Sequence, residues 1–223
     1  MSAYDPTVAR QRGRELATNK VLRNTYLLLS LTLLFSAATA GVSMALNLPH
    51  PGLIITLVGY FGLLFATNYF RNSALGLVFV FALTGFMGLT LGPIVDMYLR
   101  AYANGSQLVA TAMGGTGVIF LGMSAYALQS RRDFSFLGGF LFAGILVAFF
   151  GGLAAVFFDL PALSLGVSAM FVLLMAGLIL FETSNIVRGG ETNYIMATVT
   201  LYVAIYNLFL SLLQLLGFFG GEE

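Results

Sequence analysis

Charged residues fall in clusters along the chain, and between the clusters lie six stretches that carry none: residues 24–70, 72–95, 101–130, 134–158, 160–181 and 192–221. Each is dense in Leu, Ile, Val, Phe, Ala and Gly. A helix needs about 20 apolar residues to cross the hydrocarbon of a bilayer, so the five shorter stretches supply one helix each. The first, 47 residues long, supplies two. The break inside it is Asn47-Leu-Pro-His-Pro-Gly52, where two prolines remove backbone donors and a glycine closes the turn. The pattern therefore predicts seven helices, over 25–46, 53–70, 74–98, 106–129, 134–158, 162–187 and 193–219.

The last of these carries a second pattern. Asn193, Ala197, Thr200, Ala204, Asn207, Ser211 and Gln214 recur at alternating spacings of four and three, a seam of polar or small residues on an otherwise apolar helix. Polar side chains face lipid only at a cost, so the seam points into the bundle and predicts a central seventh helix. Interhelical hydrogen bonds of about 0.6 kcal/mol each account for such a seam without a pore. Among 26 glycines, Gly88 and Gly92 have the small-xxx-small spacing that lets helices approach closely, and Gly92-Pro93 predicts a kink in the third helix.

Composition narrows the class. The chain has 223 residues, 59% of them hydrophobic, with only 9% charged where a soluble chain carries about 25%. No Cys and a single His leave no thiolate, disulfide or usual metal site, so neither metal nor cofactor is expected. A net charge of +1 gives no footprint for nucleic acid. The expected fold is all-α and integral to the membrane, a seven-transmembrane-helix bundle. Residues 1–23 are expected to form a flexible cytoplasmic tail, and residues 24–220 the membrane domain.

With the amino terminus inside, Arg10, Arg12, Arg14, Lys20, Arg23, Arg71, Arg131, Arg132 and Arg188 all fall on the cytoplasmic side, against Arg100 alone outside. The positive-inside rule selects that orientation, and an odd number of spans puts the carboxyl end on the far side. Lys20, Arg23 and Ala38-Thr39-Ala40 imitate a signal peptide, but the apolar run continues to Leu46, too long for a signal h-region. Tyr26, Tyr69, Tyr126 and Tyr194 near inside ends, with Tyr98 and Tyr102 near an outside end, suit interfacial anchoring.

Glu182 is the ionisable residue placed inside an apolar segment. Six residues, about 9 Å of helix, separate it from Arg188. An intramembrane carboxyl is a functional candidate, here for proton sensing or gating, with a structural acid as the equal alternative. Asn185 lies on the same face one turn on, Arg71 is at a similar depth and could pair with it, and Asn207 is a further polar partner in the seam. Enzymatic readings fare worse: Ser124 has only His50 for a base, predicted in a loop at the opposite end, and Lys20 is the sole lysine. The chain is read as no enzyme.

Phe181-Glu-Thr-Ser-Asn-Ile-Val-Arg-Gly-Gly-Glu-Thr-Asn-Tyr194, with Ala197-Thr-Val-Thr-Leu-Tyr-Val-Ala-Ile-Tyr-Asn-Leu-Phe209, resembles the Bax inhibitor family of TMBIM-type membrane proteins, and within it the bacterial YccA-like branch. Lys20-Val-Leu-Arg-Asn-Thr-Tyr26, Thr84-Gly-Phe-Met-Gly-Leu-Thr-Leu-Gly-Pro-Ile94, Arg131-Arg-Asp-Phe-Ser-Phe-Leu-Gly-Gly139 and Leu160-Pro-Ala162 extend the resemblance over residues 20–218. It implies seven helices with the last one central. For the branch it implies a bacterial inner-membrane protein that binds the membrane-anchored protease FtsH and restrains its degradation of membrane substrates. For the wider family it implies a pH-sensitive calcium leak controlled by two aspartates, one on each of the last two helices. The first of these positions holds Glu182 and the second holds Ala204, which cannot ionise. Two carboxyls cannot share a proton when one is missing, so protease modulation ranks first, a calcium or proton leak second, and a structural assembly factor third.

Overall fold

A computed structural model of the chain describes the backbone of residues 6–130 and 132–220 and the side chains of residues 16–130 and 132–220. Its elements are seven helices: α1 (Pro6–Ala45), α2 (Leu53–Tyr69), α3 (Ala74–Ala101), α4 (Gly105–Ser130), α5 (Leu137–Phe157), α6 (Pro161–Val187) and α7 (Tyr194–Gly220), with no strand among the described residues. Six are long and apolar enough to cross a membrane. The exception is α2, whose 17 residues span about 26 Å, close to the lower limit for a crossing.

The ends sit within three residues of their predicted places, except at the amino terminus. There α1 begins at Pro6 and runs unbroken for 40 residues, taking in much of the segment expected to be a flexible tail. Its Ala, Arg, Gln, Glu and Leu residues are good helix formers and continue the membrane segment without a break. Residues 1–5, also part of the expected tail, lie outside the described residues, as does Arg131.

Three helices end by the same device. After α1, Leu48 N–H bonds the Ser43 carbonyl at 3.0 Å and Asn47 N–H the Met44 carbonyl at 3.0 Å, with Asn47 at a φ of 48°. After α5, Asp159 sits at a φ of 51° and Leu160 N–H bonds the Ala155 carbonyl. After α6, Gly189 sits at a φ of 76°, Gly189 N–H bonds Ile186 and Gly190 N–H bonds Asn185. Asn, Asp and Gly tolerate the left-handed conformation that this closure needs, so helix carbonyls are satisfied before the chain leaves the bundle. Pro161 then opens α6, where its missing N–H costs nothing.

Helices α1, α3, α4 and α6 each pack on α7, whereas α2 lies against α3 and α5 against α6. On α7 only Phe218 and Phe219, at its end, are exposed. The main core joins Leu29, Leu83, Met175, Ile179, Leu201 and Leu208, and a smaller one joins Leu108, Ala112, Phe209 and Leu213. The outward faces are apolar too: Leu34, Phe65, Val118, Phe140, Phe150 and Leu173 are all exposed. Apolar surface on this scale needs lipid around it.

Helices α1 and α3 approach closely at two glycines. A Cβ at Gly88 would collide with the Ser36 carbonyl and the Thr39 hydroxyl, and one at Gly92 would lie 2.7 Å from the Ala40 carbonyl. Small residues at these positions let the two backbones meet, the packing that replaces the hydrophobic effect in lipid. Helix α3 continues through Pro93 to Ala101 as one element. Gly114, by contrast, faces open space. Gly88→Ala is therefore expected to destabilise the protein by about 1–3 kcal/mol through backbone collision. Gly114→Ala should be neutral, or stabilising by up to about 1 kcal/mol through helix propensity. Thermal melts followed by far-ultraviolet circular dichroism in detergent check both, and equal melting temperatures for the two variants would refute the contact.

Candidate functional site

The stretch Phe181–Tyr194 covers the end of α6, a short turn and the start of α7. Nearly every residue of the turn and the helix ends beside it has a structural partner. Thr183 hydrogen-bonds with the Tyr26 hydroxyl of α1 at 3.2 Å, and Ser184 donates to the Arg132 carbonyl in the α4–α5 loop at 3.0 Å. Arg188 pairs with Asp133 in that loop at 2.8 Å. The Asp133 carboxyl also accepts the Ser135 N–H, and hydrogen bonds from Ser135, with the Arg188 charge, hold its pKa below the usual carboxylate value.

Asn193 caps α7. Its Oδ1 accepts the N–H groups of Ile195 at 3.0 Å and Met196 at 3.1 Å, filling two of the donors a helix start leaves open. Its Nδ2 donates to the Arg71 carbonyl at 3.1 Å and to Asn72 Oδ1 at 2.9 Å, so the same side chain fastens the α2–α3 turn. The Glu191 carboxylate accepts the Asn193 N–H at 2.6 Å. One turn thus binds the α2–α3 and α4–α5 connections to the end of α6.

Glu182 lies within this knot at 6% exposure. Asn185 follows it by three residues on the same face of α6, and Glu191 lies in the turn beyond. The expected pairing with Arg71 does not form. Arg71 follows the last turn of α2 on the exposed rim, and its Nη1 donates to Asn68 Oδ1 at 3.3 Å. Among the described residues Glu182 has no cation within 4.0 Å, the ion pairs being Arg188–Asp133 and Arg100–Asp96. Nor does Asn207 join it: its Nδ2 bonds the Val203 carbonyl of its own helix at 2.9 Å, 13 residues or about 20 Å from the start of α7. Ala204 is fully buried. The hydroxyls of Thr25 and Ser124 are buried without a hydrogen-bond partner. His50 accepts the Gly52 N–H in the α1–α2 loop, at the opposite end of the bundle from Ser124. Among the described residues no three His, Cys, Asp or Glu side chains gather as metal ligands.

Further into the bundle, Ser36 hydrogen-bonds with the Tyr202 hydroxyl at 2.6 Å, and Thr90 with the Tyr206 hydroxyl at 3.3 Å. These bonds link α1, α3 and α7. Sequence reasoning missed both tyrosines, and placed Tyr26 in an interfacial belt when its hydroxyl is turned to α6. The available signal was chemical: a phenol deep in an apolar helix requires a partner. Near the other end of α7, Gln214 donates to Ser164 and accepts from Ser168, both at 2.6 Å, beside a cavity of about 440 Å³ lined by Tyr98, Asp159 and Phe218.

Residues 18–221 match the Bax1-I family model, described as inhibitor of apoptosis-promoting Bax1. A relative from Escherichia coli K12, named modulator of FtsH protease YccA, is 57% identical over 94% of this chain and 95% of its own length. A relative from Escherichia coli O6:H1 with the same identity and coverage is named inner membrane protein YccA. An uncharacterised protein of Pseudomonas aeruginosa is 51% identical over 97% of this chain and 95% of its own.

Removing the cap tests the knot. Asn193→Ala deprives two N-terminal N–H groups of α7 of their shared acceptor and the α2–α3 turn of its tie, and a loss of about 1–2 kcal/mol is expected. Denaturant titration in mixed micelles measures it; an unchanged midpoint would mean that water replaces the side chain at both places.

Proposed function

The chain belongs to the Bax1-I family, and from that premise we propose that it is a bacterial inner-membrane protein that binds and restrains a membrane-anchored, ATP-dependent protease of the FtsH kind. The observation that carries this reading is the 57% identity, over nearly the whole of both chains, to the relative named modulator of FtsH protease. The names of the relatives describe a modulator and a membrane protein, not an enzyme. In this reading all seven helices cross the bilayer with α7 as the axis of the bundle, supported by its contacts with four helices and by the near absence of exposed side chains along it.

The amino end lies in the cytoplasm and the carboxyl end in the periplasm. Support comes from the helix ends: Arg71, Arg132 and Arg188 belong to connections that meet at one end of the bundle, and Arg100 bonds Asn47 at the other, at 2.8 Å. Reporters fused in the α4–α5 loop and after Glu223 are expected on opposite sides; the same side for both would remove one crossing. The amino-terminal segment ahead of Leu16 is the stretch of chain that a processive protease can engage. A cation leak gated by Glu182 is the weaker reading, because Ala204 supplies no second carboxyl and none of these relatives is named for transport.

Co-purification tests the proposal. The full chain, extracted from its own membranes in mild detergent, is expected to carry the host protease with it, and its overproduction to slow degradation of a membrane substrate of that protease severalfold. An unaltered degradation rate with no protease retained would sink the reading and leave the assembly-factor class.

A further inference from the structure

A groove of about 390 Å³ lies between α2 and the α6–α7 pair. Its floor is α7 from Met196 to Val203, its walls Leu64 and Phe65 on one side and Leu178 on the other. It adjoins the knot at Met196, whose N–H Asn193 holds, but Glu182 is not part of its lining. Measured along α7 it covers seven residue steps, about 10 Å from a point near the basic end of the bundle. Tyr60 lines the groove at its deep end, and beside it Phe61 meets Phe149 of α5 at 5.9 Å between ring centres. At about 10 Å the groove fits within one leaflet, about 15 Å of a hydrocarbon core about 30 Å thick.

Its mouth is polar. Asn68 lines it, and just outside the lining the exposed Arg71 guanidinium donates by Nη1 to Asn68 Oδ1 at 3.3 Å, leaving its other donors for a ligand. Thr200 of α7 also lines the groove. An apolar slot one leaflet deep with a guanidinium at its interfacial end matches the shape and charge of a phospholipid. Arg binds phosphate oxygens in bidentate fashion, and basic pockets between membrane helices take anionic headgroups. A partner helix fits worse, because a spanning helix needs about 20 residues and the full thickness of the bilayer.

We propose that the groove between α2 and α6–α7 binds one acyl chain of an anionic phospholipid, with Arg71 on its phosphate and Asn68 beside the headgroup. The site is independent of the protease reading, since it rests on the groove and the guanidinium alone. Arg71 ties the α2–α3 turn through its main-chain carbonyl, so Arg71→Gln removes the charge and keeps the tie.

Native mass spectrometry of the full chain in zwitterionic detergent, with dioleoyl phosphatidylglycerol or dioleoyl phosphatidylcholine added, tests this. One phosphatidylglycerol is expected to bind about fivefold more tightly than phosphatidylcholine, the size of one arginine's interaction with an anionic lipid. Arg71→Gln should abolish that preference. Val203→Phe and Leu178→Phe, filling the slot from α7 and α6 respectively, should each weaken binding of both lipids, and glycerol 3-phosphate, a headgroup without chains, should not bind. Equal affinity for the two lipids in the unaltered protein, a preference that survives Arg71→Gln, or undiminished lipid binding in a wall variant whose circular dichroism is native would overturn the proposal. So would a photocrosslinker at Leu64 that captures protein in membranes and no lipid.

Discussion

Hydrocarbon offers no hydrogen bonds, so each polar group the chain carries into the bilayer must find its partner within the chain. The placement of almost every polar side chain follows from this constraint. Several hydroxyls and amides standing alone on a helix turn back on their own backbone, as Thr67 does to Leu63, Thr116 to Ala112 and Asn207 to Val203, whereas those of Thr25 and Ser124 stay unpartnered. Where two helices bring such groups together they bond across the contact, as at Ser36–Tyr202 and Gln214–Ser168. The constraint is hardest at helix ends, where carbonyls and N–H groups lose their intrahelical partners. The three left-handed closures at Asn47, Asp159 and Gly189 and the Asn193 cap answer it there.

Because apolar side chains gain little by leaving lipid for protein, contact between helices has to come from close fit and from these polar bonds. The two sources are unevenly distributed. Helices α1 and α3 meet through glycine against backbone, with little side chain between them. Helices α6 and α7 meet through the turn that joins them and the Gln214 pair. Helix α5 relies on close fit alone: α6 side chains reach its glycines, Leu174 against Gly144 and Val167 against Gly151, while Phe140, Phe142 and Phe150 point away from the bundle. It and α2 form the outer layer, touching at Phe61 and Phe149.

How much of this could be read in advance depends on which physical signal each feature leaves. Helix number and boundaries were legible because charge is excluded from the hydrocarbon, and the end of each uncharged run marks an interface. The Asn47–Gly52 break was legible from proline chemistry. The amino-terminal segment was not, since a run of charged but helix-forming residues reads equally as a tail or as a helix. At the site, the burial of Glu182 and its neighbour Asn185 followed from spacing along one helix. The absence of an Arg71 pairing did not follow. Position along a helix says nothing of azimuth, and Arg71 lies on the exposed rim with its guanidinium on Asn68. Asn193 headed a polar seam in the sequence, yet its work is at the helix start, a distinction that only the fold around residues 71 and 72 draws.

The stretch that carries the family resemblance most strongly is thus consumed by structure. Thr183, Ser184 and Asn193 have their polar atoms committed to neighbouring elements, Arg188 is paired with Asp133, and Ile186 is fully buried. The buried members of this set cannot also bind a second protein without breaking the bundle. What the stretch does supply is a fixed relation among the α2–α3, α4–α5 and α6–α7 connections, so that three turns distant in sequence present one surface at the basic end. The exposed apolar faces of α4 and α5 lie apart from that surface and face outward from the bundle, where lipid covers them.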